Sequence, residues 1–240
     1  MQTMDFAPMP RRRQGFLSSI LSRFSDDVAG IEAHREPHAR FWDEWNIEAA
    51  NSEGPLWIAL GDSSSQGVGA LDPMDSWVPR MVERLRNRTG DPWRVINLAV
   101  TGAQYNDITN AQLPRVRRLR QAGQQPELMS LIAGANNLLA PNSWPQSVGH
   151  LDRILDSLPE SRSVVARVSV SNPVNARMAR RFNERIESAA VEKDFHLFWP
   201  WDWPSRDGLA VDNWHPNSTG YGYMMELIWP CIALALSIEE

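Results

Sequence analysis

Residues suited to one piece of chemistry, acyl transfer through a serine, fall in four short segments of this 240-residue chain. They are Gly61-Asp62-Ser63-Ser64-Ser65-Gln66-Gly67, Thr101-Gly102-Ala103, Gly134-Ala135-Asn136-Asn137 and Asp212-Asn213-Trp214-His215-Pro216. A serine hydroxyl is a poor nucleophile at neutral pH. It needs a base in hydrogen-bond reach, and the base needs a third group that holds its tautomer. His215 and Asp212 can supply both, because a separation of three residues lets a single turn orient them, with the carboxylate on one ring nitrogen and the other facing Ser63. The oxyanion that forms on attack needs preorganised donors. The backbone amides of Ser63 and Gly102 and the side-chain amide of Asn136 suit that role, and glycine at 102 lets the backbone approach without a Cβ.

These segments must be brought together by secondary structure. From about residue 55, short apolar runs alternate with longer helical patterns, the mark of β-α-β units around a parallel sheet. Five strands are predicted, at 56–60, 94–100, 128–133, 164–170 and 195–199, with helices near 76–89, 109–121, 143–158, 174–192 and 219–237. In open parallel sheets, ligands bind beyond the carboxyl ends of the strands. The serine, glycine and asparagine segments directly follow the first three strands, and the Asp-His segment lies beyond the fifth.

Composition removes several other classes. A net charge of -5 offers no basic footprint for nucleic acid. The single cysteine, Cys231, excludes an intramolecular disulfide and a thiol zinc cluster, and reads as a small apolar residue. The single lysine, Lys193, stands in an acidic, glycine-free context, which excludes a phosphate loop ending in Gly-Lys-Ser/Thr. No carboxylate or thiol cluster has ligand spacing with His34, His38, His150 or His196, so no metal is expected. Segment 227–238 is apolar but contains Pro230 and is too short to span a bilayer.

The four segments together resemble the sequence blocks of the SGNH hydrolases, also called GDSL-type esterases and lipases. LGDSSSQGVGA is similar to block I, VINLAVTG to block II, LIAGANN to the G-x-N-D block III and DNWHPNSTGY to the D-x-x-H-P block V. The resemblance covers about residues 55–225. It implies an α/β fold, a three-layer α/β/α sandwich with a five-stranded parallel sheet of flavodoxin-like type. It also implies a cofactor-free serine hydrolase with Ser63, Asp212 and His215 as the triad and Ser63, Gly102 and Asn136 as the oxyanion hole, acting on a small-molecule ester. Two positions depart from the family pattern: Ser64 replaces a leucine, and Asn137 replaces the aspartate of G-x-N-D. The second is expected to weaken the support of Asn136 and to reduce activity without abolishing it. An acyltransferase or carbohydrate deacetylase with the same triad, and a non-catalytic flavodoxin-like module holding a phosphate on the first loop, are the alternatives.

Residues 1–50 read as an N-terminal tail and helical arm, and 51–240 as the hydrolase domain. The first fourteen residues, with two prolines and three consecutive arginines, are expected to be a mobile tail. Phe16, Leu17, Ile20, Leu21 and Phe24 then lie on one face of a short helix. A docked helix is favoured over a membrane anchor or an export signal, because Arg23, Asp26 and Asp27 interrupt the apolar run, and a cytoplasmic location is expected. The arginines 115, 117, 118 and 120 read as the solvated face of a helix. Four of the 11 tryptophans, Trp199, Trp201, Trp203 and Trp214, surround the Asp-His segment. Trp201, Trp203 and Trp214 are read as the wall of a substrate pocket, against the alternative that they fill the groove between sheet and last helix.

Overall fold

The computed structural model describes residues 6–11, 26–140, 143–169, 175–200 and 206–239. In chain order the elements are α1 (Asp26–Ala33), α2 (Arg35–Ala50), β1 (Leu56–Gly61), α3 (Ser63–Gln66), α4 (Trp77–Thr89), β2 (Arg94–Asn97), α5 (Tyr105–Asp107), α6 (Leu113–Gln121), β3 (Leu128–Ile132), α7 (Ala135–Leu138), α8 (Trp144–Ser157), β4 (Ser163–Ala166), α9 (Ala176–Lys193), β5 (His196–Phe198) and α10 (Ser218–Leu236). A π-helical turn, Ile108–Gln112, joins α5 to α6.

All five strands are parallel, in the order β2-β1-β3-β4-β5. The first connection therefore runs to one side of β1 and the next crosses to the other. This leaves the crevice at the carboxyl ends of β1 and β3 as the topological switch point. Side chains alternate between faces with the period of a strand. Ile58, Leu60, Met129, Leu131 and Val165 pack with Leu113, Leu119, Leu151, Ile154 and Phe182 of α6, α8 and α9. Trp57, Ala59, Leu128, Ile132 and Val164 pack with Trp77, Met81, Leu85, Met224 and Ile228 of α4 and α10. The result is the expected three-layer sandwich.

β2 and β4 end three and four residues before their apolar runs do, while β3 and β5 each end one residue early. β4 stops at Ala166, because Val168 exchanges its backbone groups with a side chain instead of a neighbouring strand. Its N–H donates to Asn183 Oδ1 at 2.7 Å, and its carbonyl accepts from Asn183 Nδ2 at 3.0 Å. β2 stops at Asn97, whose own Oδ1 accepts the amide of Ala99 at 3.1 Å and turns the chain.

The N-terminal region corrects one expectation. Residues 6–11 are not a loose tail: Phe6 and Met9 are buried in the core, the Arg115 guanidinium lies 5.7 Å from the Phe6 ring, and Arg11 bridges Glu36 and Asp43. The stretch lacks periodicity, but its two apolar side chains find a surface to cover. The helix read over 16–24 lies outside the described residues. Helix α2 packs on the open edge of β2, sending Trp42 to one face of the sheet and Ala49 and Ala50 to the other.

Asn183→Ala removes the side-chain partner of both Val168 backbone groups in a buried site, a loss of about 1–3 kcal/mol. The midpoint of thermal unfolding is expected to fall by roughly 2–10 °C, measured by circular dichroism.

Candidate active site

β1 delivers Ser63 to the first position of the four-residue helix α3. Asp62 caps it, its Oδ1 accepting the amide of Ser64 at 3.0 Å. A single turn cannot satisfy its own carbonyls through an i to i+4 ladder, and all four residues of α3 are buried. Only the Ser63 carbonyl finds local donors, the amides of Gly67 and Val68, and for the next three carbonyls donors from elsewhere take over. Trp77 Nε1 donates to the Ser64 carbonyl at 3.0 Å, Asn97 Nδ2 to that of Ser65 at 2.6 Å, and Trp42 Nε1 to that of Gln66 at 3.0 Å. Just upstream, Gln112 of the π-helical turn clamps Gly61, donating to its carbonyl at 2.8 Å and accepting its amide at 3.0 Å.

The Asp-His segment is a tight loop closed by the amide of Ala210 on the His215 carbonyl at 2.8 Å, with Asn213 in the left-handed region at φ 53°. Asn217 then starts α10, accepting the amides of Thr219 and Gly220 while donating to the carbonyls of Asp207 and Leu209. The loop lies directly on the segment after α3. A Cβ at Gly69 would stand 2.2 Å from the Pro216 carbonyl oxygen and 2.9 Å from His215 Cβ, so only glycine permits this approach. With both segments so held, His215 Nε2 lies 3.0 Å from Ser63 Oγ and His215 Nδ1 lies 2.6 Å from Asp212 Oδ2. The other Asp212 oxygen accepts the amides of Trp214 and His215, each at 3.0 Å.

Gly102 and Asn136 come to the same crevice on the loops after β2 and β3. Gly102 is left-handed at φ 76°, and Gln66 Oε1 accepts both the amide and the hydroxyl of neighbouring Thr101. Asn136 Nδ2 donates to the Ala103 carbonyl at 3.1 Å and, less closely, to Asp62 Oδ2 at 3.3 Å. Asn137 does not brace its neighbour's side chain, contrary to expectation. Its Oδ1 accepts the amide of Tyr105 at 3.1 Å and its Nδ2 donates to Ser147 Oγ at 2.9 Å, tying α7 to α5 and α8.

Electrostatics separates the two carboxylates. Burial raises the pKa of Asp62 to about 6, against the opposing pull of the Ser64 amide and of His215. Burial also pushes Asp212 upward, but the hydrogen bond and charge of His215 and the two loop amides outweigh it and hold its pKa below the usual carboxylate value. Asp212 therefore stays ionised beside the imidazole.

The model of the GDSL-like lipase/acylhydrolase family matches residues 59–223. The chain belongs to that family. It is a carboxylic ester hydrolase with the α/β fold of its relatives. No curated protein matches it in sequence. Among solved structures it is similar to TesA, with 20% identity and a TM-score of 0.61 over 75% of this chain and 99% of that one. It is also similar to the psychrotrophic esterase EstA from Pseudoalteromonas sp., with 17% identity and a TM-score of 0.61 over 76% and 98% of the two chains. A third is Axe2, an acetylxylan esterase from Geobacillus stearothermophilus, with 14% identity and a TM-score of 0.56 over 75% and 95%.

Within this GDSL-type hydrolase the tryptophans take roles that sequence reasoning missed. Trp42 and Trp77 are buried donors to the turn that carries Ser63, and Trp144 Nε1 donates to the Asn137 carbonyl at 2.9 Å. The composition count was the available signal, but it gave no position. Trp214 is 37% exposed between Asp212 and His215, and the Arg167 guanidinium lies 5.4 Å from the ring of Trp199. Trp201 and Trp203 lie outside the described residues. A groove of about 420 Å³ lined by Leu56, Trp93, Glu127 and Arg162 lies at the amino ends of the strands, away from Ser63. Of the four arginines read as a solvated face, Arg117 and Arg118 are exposed, whereas Arg115 and Arg120 are half-buried, Arg115 donating to the Pro8 carbonyl and Arg120 to Met129 Sδ. Cys231 is half-buried with its thiol pKa raised by burial, which does not suit a thiolate nucleophile. Among the described residues no helix is long and apolar enough to cross a membrane, and no group of three or more His, Cys, Asp or Glu side chains is placed to hold a metal ion.

Because Asp62 is harder to ionise in the folded protein than its ordinary value of 3.8 implies, its contribution to stability is fully present below pH 3.8 and is lost as pH rises through about 6. The shift amounts to on the order of 3 kcal/mol. Relative to the parent, Asp62→Asn is therefore expected to gain stability between pH 4 and pH 7 whatever constant offset the amide introduces, as read from thermal midpoints across that range. Asn137→Asp cannot donate to Ser147 and buries a charge, so it is expected to lower the thermal midpoint by roughly 2–10 °C, with no gain in turnover.

Proposed function

We propose that the protein cleaves carboxylic esters, and thioesters by the same route, through an acyl-enzyme on Ser63. The observation that carries this reading is the continuous hydrogen-bonded chain from Ser63 Oγ through both ring nitrogens of His215 to Asp212. In it, the Ser63 oxygen attacks the ester carbonyl carbon while its proton passes to His215 Nε2. Asp212 holds the Nδ1–H tautomer and stabilises the imidazolium that forms. The negative charge on the former carbonyl oxygen is met by the amides of Ser63 and Gly102 and by Asn136, which exchanges its longer hydrogen bond to Asp62 for one to the oxyanion. Collapse expels the alcohol or thiol, which takes the proton from His215. Water, deprotonated by His215, then attacks the acyl-serine and releases the acid.

A second reading narrows the substrate to an acyl group on a carbohydrate. It is supported by the exposed indole of Trp214 beside the triad, a face on which a sugar ring can stack, and by the similarity to an acetylxylan esterase. Trp214 is exposed rather than packed in the core, which leaves its indole available for such stacking.

A fluorophosphonate probe is expected to label the parent and not Ser63→Ala, with kcat in the variant lowered at least about 10³-fold. His215→Ala is expected to lose that labelling as well, since the serine proton then has no acceptor, and unchanged labelling in this variant would remove His215 as the base. An ester panel graded in acyl length, run beside acetylated sugars and with alcohol acceptors present, separates the lipase, deacetylase and acyltransferase outcomes.

A further inference from the structure

Helix α2 lies before the family-matched segment, which begins at residue 59, yet its side chains reach the turn that carries Ser63. Trp42, 2% exposed, donates to the Gln66 carbonyl at 3.0 Å. Asn46, fully buried, serves both backbone groups of Asn97: its Nδ2 donates to the carbonyl at 2.8 Å and its Oδ1 accepts the amide at 2.7 Å. Asn97 then donates to the Ser65 carbonyl at 2.6 Å. Two successive carbonyls of α3 thus end on α2, one directly and one through Asn97. The path continues to the next loop, because the Gln66 side chain holds the amide and hydroxyl of Thr101, beside Gly102.

Covering the sheet edge requires a carboxamide at 46, because leucine would leave both buried backbone groups of Asn97 unpaired, but it does not require the indole N–H at 42, since phenylalanine would also exclude water. A buried amide is costly unless it is hydrogen-bonded, and once bonded it is directional. It fixes a carbonyl in distance and angle where an apolar contact would let it slide. Oxyanion donors need that fixity, because they act only when held 2.7–3.1 Å from the position the charge will occupy.

We infer that α2 is a positioning element of the active site. Trp42 and Asn46 set the height and tilt of α3 and, through Gln66, the register of the Thr101-Gly102 loop, so that the amides of Ser63 and Gly102 converge on one oxygen. Neither residue touches substrate. The inference rests on the reading of Ser63 as nucleophile, and it adds two residues from outside the matched segment to the machinery of that site. Because the oxyanion exists only on the way to the transition state, misplacing its donors lowers kcat and leaves KM nearly unchanged.

The test compares the full chain with Trp42→Phe, which keeps a ring but removes the N–H, with Asn46→Ala, and with Arg40→Ala on the exposed side of α2 as control. Each is assayed at 10 °C and 25 °C on a short-chain ester, with thermal midpoints in parallel and Ser63→Ala as reference. Trp42→Phe and Asn46→Ala are each expected to lower kcat about tenfold with KM within about twofold, and to slow fluorophosphonate inactivation by the same factor. Arg40→Ala is expected to match the parent. In the double variant the loss should be smaller than the product of the single losses, because both act on the same turn. Parental kcat in folded Trp42→Phe, whatever its midpoint, overturns the inference, and that variant decides alone should Asn46→Ala not fold. An inactive Ser63→Ala beside fully active α2 variants removes the positioning role and leaves the serine mechanism standing; an active Ser63→Ala overturns both.

Discussion

A one-turn helix buried at the end of a strand cannot satisfy its own carbonyl oxygens, and much of this molecule is arranged around that deficit in α3. The oxygens of residues 64, 65 and 66 each need a donor in a place where water does not reach. Indole N–H groups and one amide supply them, from α4, β2 and α2. Because these donors come from different elements, the turn is triangulated rather than supported from one side. The serine hydroxyl is thereby presented to His215, which arrives from a segment 152 residues further along the chain.

The same device recurs at three places near the carboxyl ends of β1, β2 and β4, where a backbone amide and carbonyl are served by one side chain. Asn46 takes both groups of Asn97, Gln112 both groups of Gly61, and Asn183 both groups of Val168. A carboxamide carries one donor and one acceptor at the spacing of a peptide unit, so each clamp stands in for a residue of a missing strand. These clamps let the sheet give way to loops without leaving buried groups unpaired.

Much of this was legible in the sequence, for reasons that differ by element. The strands and the long helices announced themselves through periods of two and of three to four, because their burial is one-sided or complete and apolar. The hydrogen-bonded chain of Ser63, His215 and Asp212 was legible as a spatial group because glycine, aspartate, serine and histidine in those spacings have few other uses together. Helix α2 was not legible as part of the body, since three of its buried residues, His38, Trp42 and Asn46, do not form an apolar stripe. The short helices α3 and α7 have no periodicity to read. Asn137 was misread because a motif position suggests a partner by analogy, whereas its actual partners, Tyr105 and Ser147, are set by folding. Trp42, Trp77 and Trp144 had no reading beyond the tryptophan count, because a single indole N–H donor leaves no pattern in the sequence.

A frame built from carboxamides has a chemical lifetime as well as a thermodynamic stability. Asparagine and glutamine are among the residues depleted from proteins that work at high temperature, because their amides hydrolyse. Conversion of Asn46 to aspartate would replace its donor with a second acceptor facing the Asn97 carbonyl, and the same holds for Asn183 at Val168 and Gln112 at Gly61. Damage of this kind survives cooling. Prolonged heating would therefore turn transient opening into an irreversible ageing of the clamps, since the opened chain exposes these amides to water.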